Sequence, residues 1–123
     1  MPYFCLETNV PDEKIPADLP AKLCEVMAES SAKPLDVCCA SVTGGVKMSW
    51  GGNNEPAALA TFVGLAAIGV IGVEENKKHT KAFTDYLTKS IGIRADRIYI
   101  TFIDAKTSGL GSKGTTYHEI YGF

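Results

Sequence analysis

Residues 17–42, ADLPAKLCEVMAESSAKPLDVCCASV, and residues 77–102, KKHTKAFTDYLTKSIGIRADRIYITF, carry one hydrophobic pattern twice. In the first, Leu19, Leu23, Val26 and Met27 recur at helical spacing and form a single apolar stripe. Asp18 suits the N-cap, Pro20 is tolerated in the first turn, and Lys33-Pro34 ends the helix because a residue before proline avoids the helical region. In the second, Phe83, Tyr86, Leu87 and Ile91 make the matching stripe and Gly92 supplies the stop. A shift of 60 sets Leu23 against Phe83, Val26 against Tyr86 and Met27 against Leu87, with Ser30 and Asp36 meeting Ser90 and Asp96. The same shift aligns the strand pattern DVCCASV (Asp36–Val42) with DRIYITF (Asp96–Phe102), and PYFCLET (Pro2–Thr8) with FVGLAAI (Phe62–Ile68).

Each half therefore reads strand, helix, strand, and such a unit closes as a parallel, right-handed βαβ. The predicted fold is α/β: two pseudo-repeated βαβ units, roughly residues 2–43 and 62–104, form a four-stranded mixed sheet with both helices on one face. One domain is expected over residues 1–123, long enough to bury roughly two-thirds of its unfolded surface. The second sheet face, with Cys5, Cys38 or Cys39, and Ile98 or Tyr99, is expected to be largely apolar. That calls for another copy of the chain to cover it, the alternative being a monomer with a flap from Gly109 to Phe123.

Composition narrows the function classes. Hydrophobic residues make up 46% and charged residues 21%, which is ordinary globular usage. A net charge of −2 without a Lys/Arg cluster offers no footprint for nucleic acid or for an anionic membrane surface. The uncharged run Ala57–Val73 spans 17 residues, short of the ~20 needed to cross a bilayer, and reads as a buried strand with its exits. Glu7, Asp12, Glu13 and Lys14 come too early for a secretory leader, so a cytoplasmic location is expected, or export without a signal peptide. Cys5, Cys24, Cys38 and Cys39 have no CxxC spacing and read as reduced, buried thiols. His79 and His118 stand far apart with no ligand cluster, so no metal or cofactor is expected. Gly51 and Gly52 read as a turn, since Pro56 interrupts any following helix.

Several short motifs, in order and spacing, resemble the macrophage migration inhibitory factor and D-dopachrome tautomerase family of the tautomerase superfamily. They are P-x-x-x-x-x-T-N-V-P at Pro2–Pro11, Lys33-Pro34, MSWGGNNEPAAL at Met48–Leu59, IGVIG at Ile68–Gly72 and DRIYITFID at Asp96–Asp104. The resemblance implies a homotrimer whose three sheets wrap into a barrel with helices outside, residues 105–123 packing at the subunit interface. It implies a cofactor-free keto–enol tautomerase of the phenylpyruvate and D-dopachrome type, acting on a small aromatic α-keto acid or a dopachrome-like substrate. It equally implies an alternative, a secreted cytokine-like ligand of a cell-surface receptor in which tautomerase activity is secondary. Pro2, freed by removal of the initiator methionine, takes the role of general base, and Lys33 that of its electrostatic partner. Ile68 corresponds to a backbone substrate contact. Tyr99 and Thr101 reach in from the neighbouring chain, and Tyr3, Val37, Leu110 and Tyr117 form apolar pocket walls.

The chemistry of these residue types is consistent with that assignment. Taking a proton from carbon beside a carbonyl needs a base that is neutral near pH 7. A terminal amine with pKa ~8 is mostly protonated there, but burial and a nearby cation both disfavour the charged form. Each residue alone has a plainer reading: Pro2 permits methionine removal, Lys33 complements a helix C-terminus, and Tyr99 fills a strand. The chain also departs from the best-known family member. Ala57 and Ala60 replace a CxxC pair, so a thiol oxidoreductase activity is not expected. Thr101 replaces an asparagine, Ser112 a tryptophan at one pocket edge, a few extra residues precede Ile68, and HEIYGF extends the C-terminus.

Overall fold

In the first strand, β1 (Tyr3–Thr8), successive side chains alternate sides: Phe4, Leu6 and Thr8 are buried, while Cys5 and Glu7 are exposed. The computed structural model, which describes residues 1–123, continues with α1 (Leu19–Ser31), β2 (Cys39–Thr43), β3 (Ala58–Gly64), α2 (Val73–Ile91) and β4 (Ile98–Asp104). The strands lie in the order β2-β1-β3-β4, with β1/β2 and β3/β4 parallel and the central β1/β3 pair antiparallel. This is the expected mixed sheet. Leu19, Leu23 and Met27 of α1 and Phe83 and Leu87 of α2 share one core with Phe4, Leu6, Ala58, Ala60 and Phe62, so both helices cover the same face.

The register explains the centre of that core. Phe4 pairs with Phe62 and Phe62 with Phe102 across three strands. From the helix above, Phe83 stacks on Phe4 with ring centres 4.0 Å apart and meets Phe62 edge-on at 5.8 Å. His79 is buried beside them, stacked on Phe62 at 4.6 Å. Its Nε2–H donates to the Val70 carbonyl at 2.7 Å, which leaves Nδ1 to accept from the Ser30 hydroxyl and ties α2 to α1. Burial holds its pKa below the usual histidine value; Val70 pulls it up, Lys78 pushes it further down and Glu75 raises it.

Helix ends are set locally. Asp18 occupies the N-cap position of α1 without a side-chain cap bond, and the helix stops at Ala32, which adopts the left-handed conformation at φ 55°. The Lys33 N–H then closes on the Ala28 carbonyl at 3.2 Å, so the stop precedes Lys33-Pro34. Gly92 ends α2 in the left-handed region, as its position predicts. Helix α2 starts at Val73, nearly three turns ahead of Phe83, the first residue of its apolar stripe, with the Asn76 side chain accepting from the Gly72 N–H.

Three expectations are corrected, and one alternative is set aside. The third strand runs Ala58–Gly64 and not Phe62–Ile68, because the alternation begins with Ala58, Ala60 and Phe62 facing the core. The shift of 60 therefore holds for helices and closing strands but fails at the opening strand, and Ile68 sits in a short helical turn, Ala66–Ile68, beyond the strand. That turn folds back tightly: a Cβ on Gly64 would lie 2.8 Å from Val70 and Ile71 side-chain carbons. The open sheet face is mixed and not largely apolar. Tyr99, Leu59 and Ile103 stand on it beside Glu7, Ser41, Thr43 and Thr101, while Ile98 and Ile100 turn to the core. The thiols are free, but Cys5 and Cys39 are exposed on that face, and only Cys24 and Cys38 are partly buried. Finally, the C-terminal segment does not close over the face as a flap, since Leu59, Tyr99 and Ile103 stay exposed. No helix is long and apolar enough to cross a membrane.

Candidate functional site

Parallel pairing of β1 and β2 puts the starts of both strands side by side, with Tyr3 opposite Cys39. Pro2 is buried at this corner, its carbonyl accepting from the Cys39 N–H at 3.3 Å. The Met1 ammonium donates to the Val37 carbonyl at 2.7 Å. That amine is held below its ordinary pKa, first by burial and then by the Lys33 charge, against an upward pull from Cys38, Asp36 and Cys39. No ion pair in the chain engages Lys33, so its charge is left to act on this corner.

The C-terminal segment builds the opposite wall. A hairpin of β5 (Gly111–Ser112) and β6 (Thr115–Thr116) turns through Lys113 and Gly114, both at positive φ, which matches the twist of a tight two-residue loop. Helix α3 (Tyr117–Tyr121) follows, its N-terminus capped by the Thr116 hydroxyl, and the Tyr117 N–H donates to the Leu110 carbonyl at 3.0 Å. The result is a cavity of about 270 Å³ bounded by Met1, Tyr3, Val37, Cys39, Leu110 and Tyr117. A neighbouring cavity of about 430 Å³ shares Met1, Val37, Ser112 and Tyr117 and adds Asp36, Lys113, Ile120 and Tyr121.

One chain thus gathers Tyr3, Val37, Leu110 and Tyr117 around the N-terminus, with the Lys33 charge felt there. Ile68 lies at the same end of the sheet, past the β3 terminus that borders β1, with its N–H bonded to the Leu65 carbonyl. Tyr99 and Thr101 are elsewhere. From the row Tyr3–Val63–Ile103, Tyr99 is four residues along and two strands across, about 16 Å from Tyr3 at ordinary strand spacings. Both are exposed on the open face, and the Tyr99 ring packs against Trp50 at 4.2 Å. Buried Arg97 fixes that Trp50 loop by donating to the carbonyls of Pro56, Glu55 and Trp50. The sequence reading singled out neither Trp50 nor Arg97 as a support for Tyr99. It also missed Asp36 and Lys113, which carry no such signal, and Ile120 and Tyr121, whose only sequence signal is the aromatic and apolar C-terminal extension.

The model of the family described as macrophage migration inhibitory factor (MIF) matches residues 1–118. The chain belongs to the MIF family. A macrophage migration inhibitory factor homologue of Trichuris trichiura is 34% identical over 95% of this MIF-family chain and 100% of its own length. A D-dopachrome decarboxylase of Xenopus tropicalis is 36% identical over 94% of this chain and 96% of its own. Among solved structures, the macrophage migration inhibitory factor of Trichinella spiralis superposes with a TM-score of 0.85 at 28% identity, covering 93% of this chain and 98% of that one. The four-stranded mixed sheet with two principal helices is therefore the MIF-family fold, and the likeness covers both the strand starts around Pro2 and the C-terminal wall up to residue 118.

Proposed function

We propose that this MIF-family chain is a keto–enol tautomerase in which the Pro2 nitrogen, exposed by removal of Met1, is the general base. The carrying observation is electrostatic: a terminal amine at this corner is held below its ordinary pKa by burial and by Lys33. A proline amine one residue deeper, at a buried position, meets the same two influences. In the proposed reaction the neutral Pro2 nitrogen takes the proton from the carbon beside the substrate carbonyl, and an enol or enolate forms. Lys33 stabilises the negative charge on the substrate carboxylate or the developing enolate oxygen. The proton then returns from Pro2 to the other end of the enol system. Tyr3, Val37, Leu110 and Tyr117 hold an aromatic α-keto acid or a dopachrome-like ring.

The proposed assembly is a homotrimer. It is supported by the mixed open face and by the distance of Tyr99 and Thr101 from Pro2 within one chain, which leaves them to serve the site of a second copy. Residues 105–123 would then stand at the subunit boundary, and Ile68 would offer a backbone contact. The direct test is phenylpyruvate tautomerisation by the processed chain, by Pro2→Gly, and by a form retaining Met1. A retained methionine converts the nitrogen to an amide without basicity, so a loss on the order of 10²-fold or more is expected in that form. An undiminished rate refutes the role of Pro2.

The names of the relatives favour a second reading alongside the first, a cytokine-like ligand of a cell-surface receptor. It predicts that a folded Pro2→Gly protein, inactive as a catalyst, keeps receptor binding. Parallel loss of both in a folded variant contradicts that independence.

A further inference from the structure

Past residue 118, where the family match ends, the chain adds Glu119-Ile120-Tyr121-Gly122-Phe123. Its three large apolar side chains remain substantially exposed: Ile120 by 45%, Tyr121 by 43% and Phe123 by 53%. They are nevertheless held in place. Tyr121 stacks on Tyr117 at 5.3 Å and on Phe123 at 5.5 Å, with the rings within 20° of parallel. The Thr107 hydroxyl donates to the backbone carbonyl oxygen of Phe123 at 2.5 Å, and Thr116 caps the helix at its other end. An ordered, contiguous apolar surface beside a cavity is the usual mark of a binding wall.

Ile120 and Tyr121 of that wall line the 430 Å³ cavity, next to the one at the N-terminus. The inner cavity, at about 270 Å³, falls below the ~300 Å³ typical of the smallest ligand sites. Met1 borders both cavities, and so does Ser112, a side chain too small to divide them. Removing Met1 therefore takes away a residue that lines both cavities. Lys113 supplies a donor in the lining of the outer cavity, whereas Asp36, whose charge acts on the N-terminal amine, stands toward the inner one.

We infer that the outer cavity is a second subsite for an elongated substrate, a two-ring 2-oxo acid with a terminal hydroxyl. The inference rests on the tautomerase reading above. The acid head and reacting carbon lie at Pro2 and Lys33, the first ring between Tyr3, Val37 and Leu110, and the second ring along Tyr117, Ile120 and Tyr121. The terminal hydroxyl accepts from Lys113. Tyr121 is thus a specificity residue that never meets the reacting atoms.

The experiment compares phenylpyruvate with 4-(4-hydroxyphenyl)phenylpyruvate on the Met1-processed protein and on Tyr121→Ala and Ile120→Ser, with sedimentation of each. Tyr121→Ala should raise KM for the two-ring acid about tenfold, the loss of one aromatic contact, while phenylpyruvate changes less than about twofold and mass is unaltered. Equal losses on both acids, no loss on either, or a change of mass overturns the subsite; the last assigns Tyr121 to subunit contact. If the processed parent turns over neither acid, the tautomerase reading falls, and calorimetric titration with the two-ring acid decides the subsite separately. Weaker binding by Tyr121→Ala alone then supports it, and unchanged binding overturns it.

Discussion

The two faces of the sheet are built by the same strands to opposite ends. On one, Phe4, Phe62 and Phe102 line up across three strands and are closed by Phe83, His79 and the two helices. On the other, Leu59, Tyr99 and Ile103 stand among threonine, serine and glutamate side chains and stay exposed. The first face completes itself within one chain. The second is neither greasy enough to drive indiscriminate aggregation nor polar enough to be an ordinary wet surface, a balance that suits a specific contact with another copy. Folding belongs to the first face and the proposed assembly to the second, and the proposed site residues divide likewise, with Pro2 and Lys33 at one corner and Tyr99 and Thr101 out on the open side.

The sharpest way to break this division is on the closed face. Phe83→Ala removes the ring stacked on Phe4 and edge-on to Phe62, and should cost about 3–5 kcal/mol in denaturant unfolding. A loss below about 1 kcal/mol would mean that the aromatic line is not the centre of the core. On the open face, Tyr99→Asp should leave the unfolding midpoint of the isolated chain nearly unchanged while the sedimentation mass of the proposed trimer falls to that of a monomer. A trimer that tolerates aspartate there would show that this face is not the contact.

The smallest expected effect concerns His79. Because burial lowers its pKa in the folded chain, the unfolded state binds the proton first as pH falls. Nothing is lost above the ordinary histidine value of about 6.5; stability declines as pH drops from there toward the folded pKa and stays reduced below it. His79→Gln should flatten that part of the pH–stability profile. A mutant whose profile between those limits runs parallel to the parent would show that His79 is not the group responsible.

The helices were legible because Leu19, Leu23 and Met27, and Phe83 and Leu87, repeat at a period that little else produces. The opening strand of the second half was misplaced for the converse reason. Ala58 and Ala60 are weak apolar markers, whereas Leu65, Val70 and Ile71 are strong ones that the chain buries in a turn, where no alternation announces them. At the candidate site, the meeting of Pro2 with the residues after Lys33 follows from parallel strand order and could be read directly. The roles of Ile68, Tyr99 and Thr101 came from family resemblance alone, since no single-chain periodicity relates them to Pro2. Tyr121 and Lys113 escaped notice because a short helix and a two-residue turn carry no period at all.

One backbone feature sets how Lys33 leaves its helix. Ala32 occupies a left-handed conformation that glycine would adopt with less steric penalty, at φ 55° and ψ 35°. The chain changes heading there, one residue ahead of the lysine, and the Lys33 charge falls within reach of the N-terminal amine. The electrostatic climate around the N-terminus thus follows a main-chain bend at the end of the first helix.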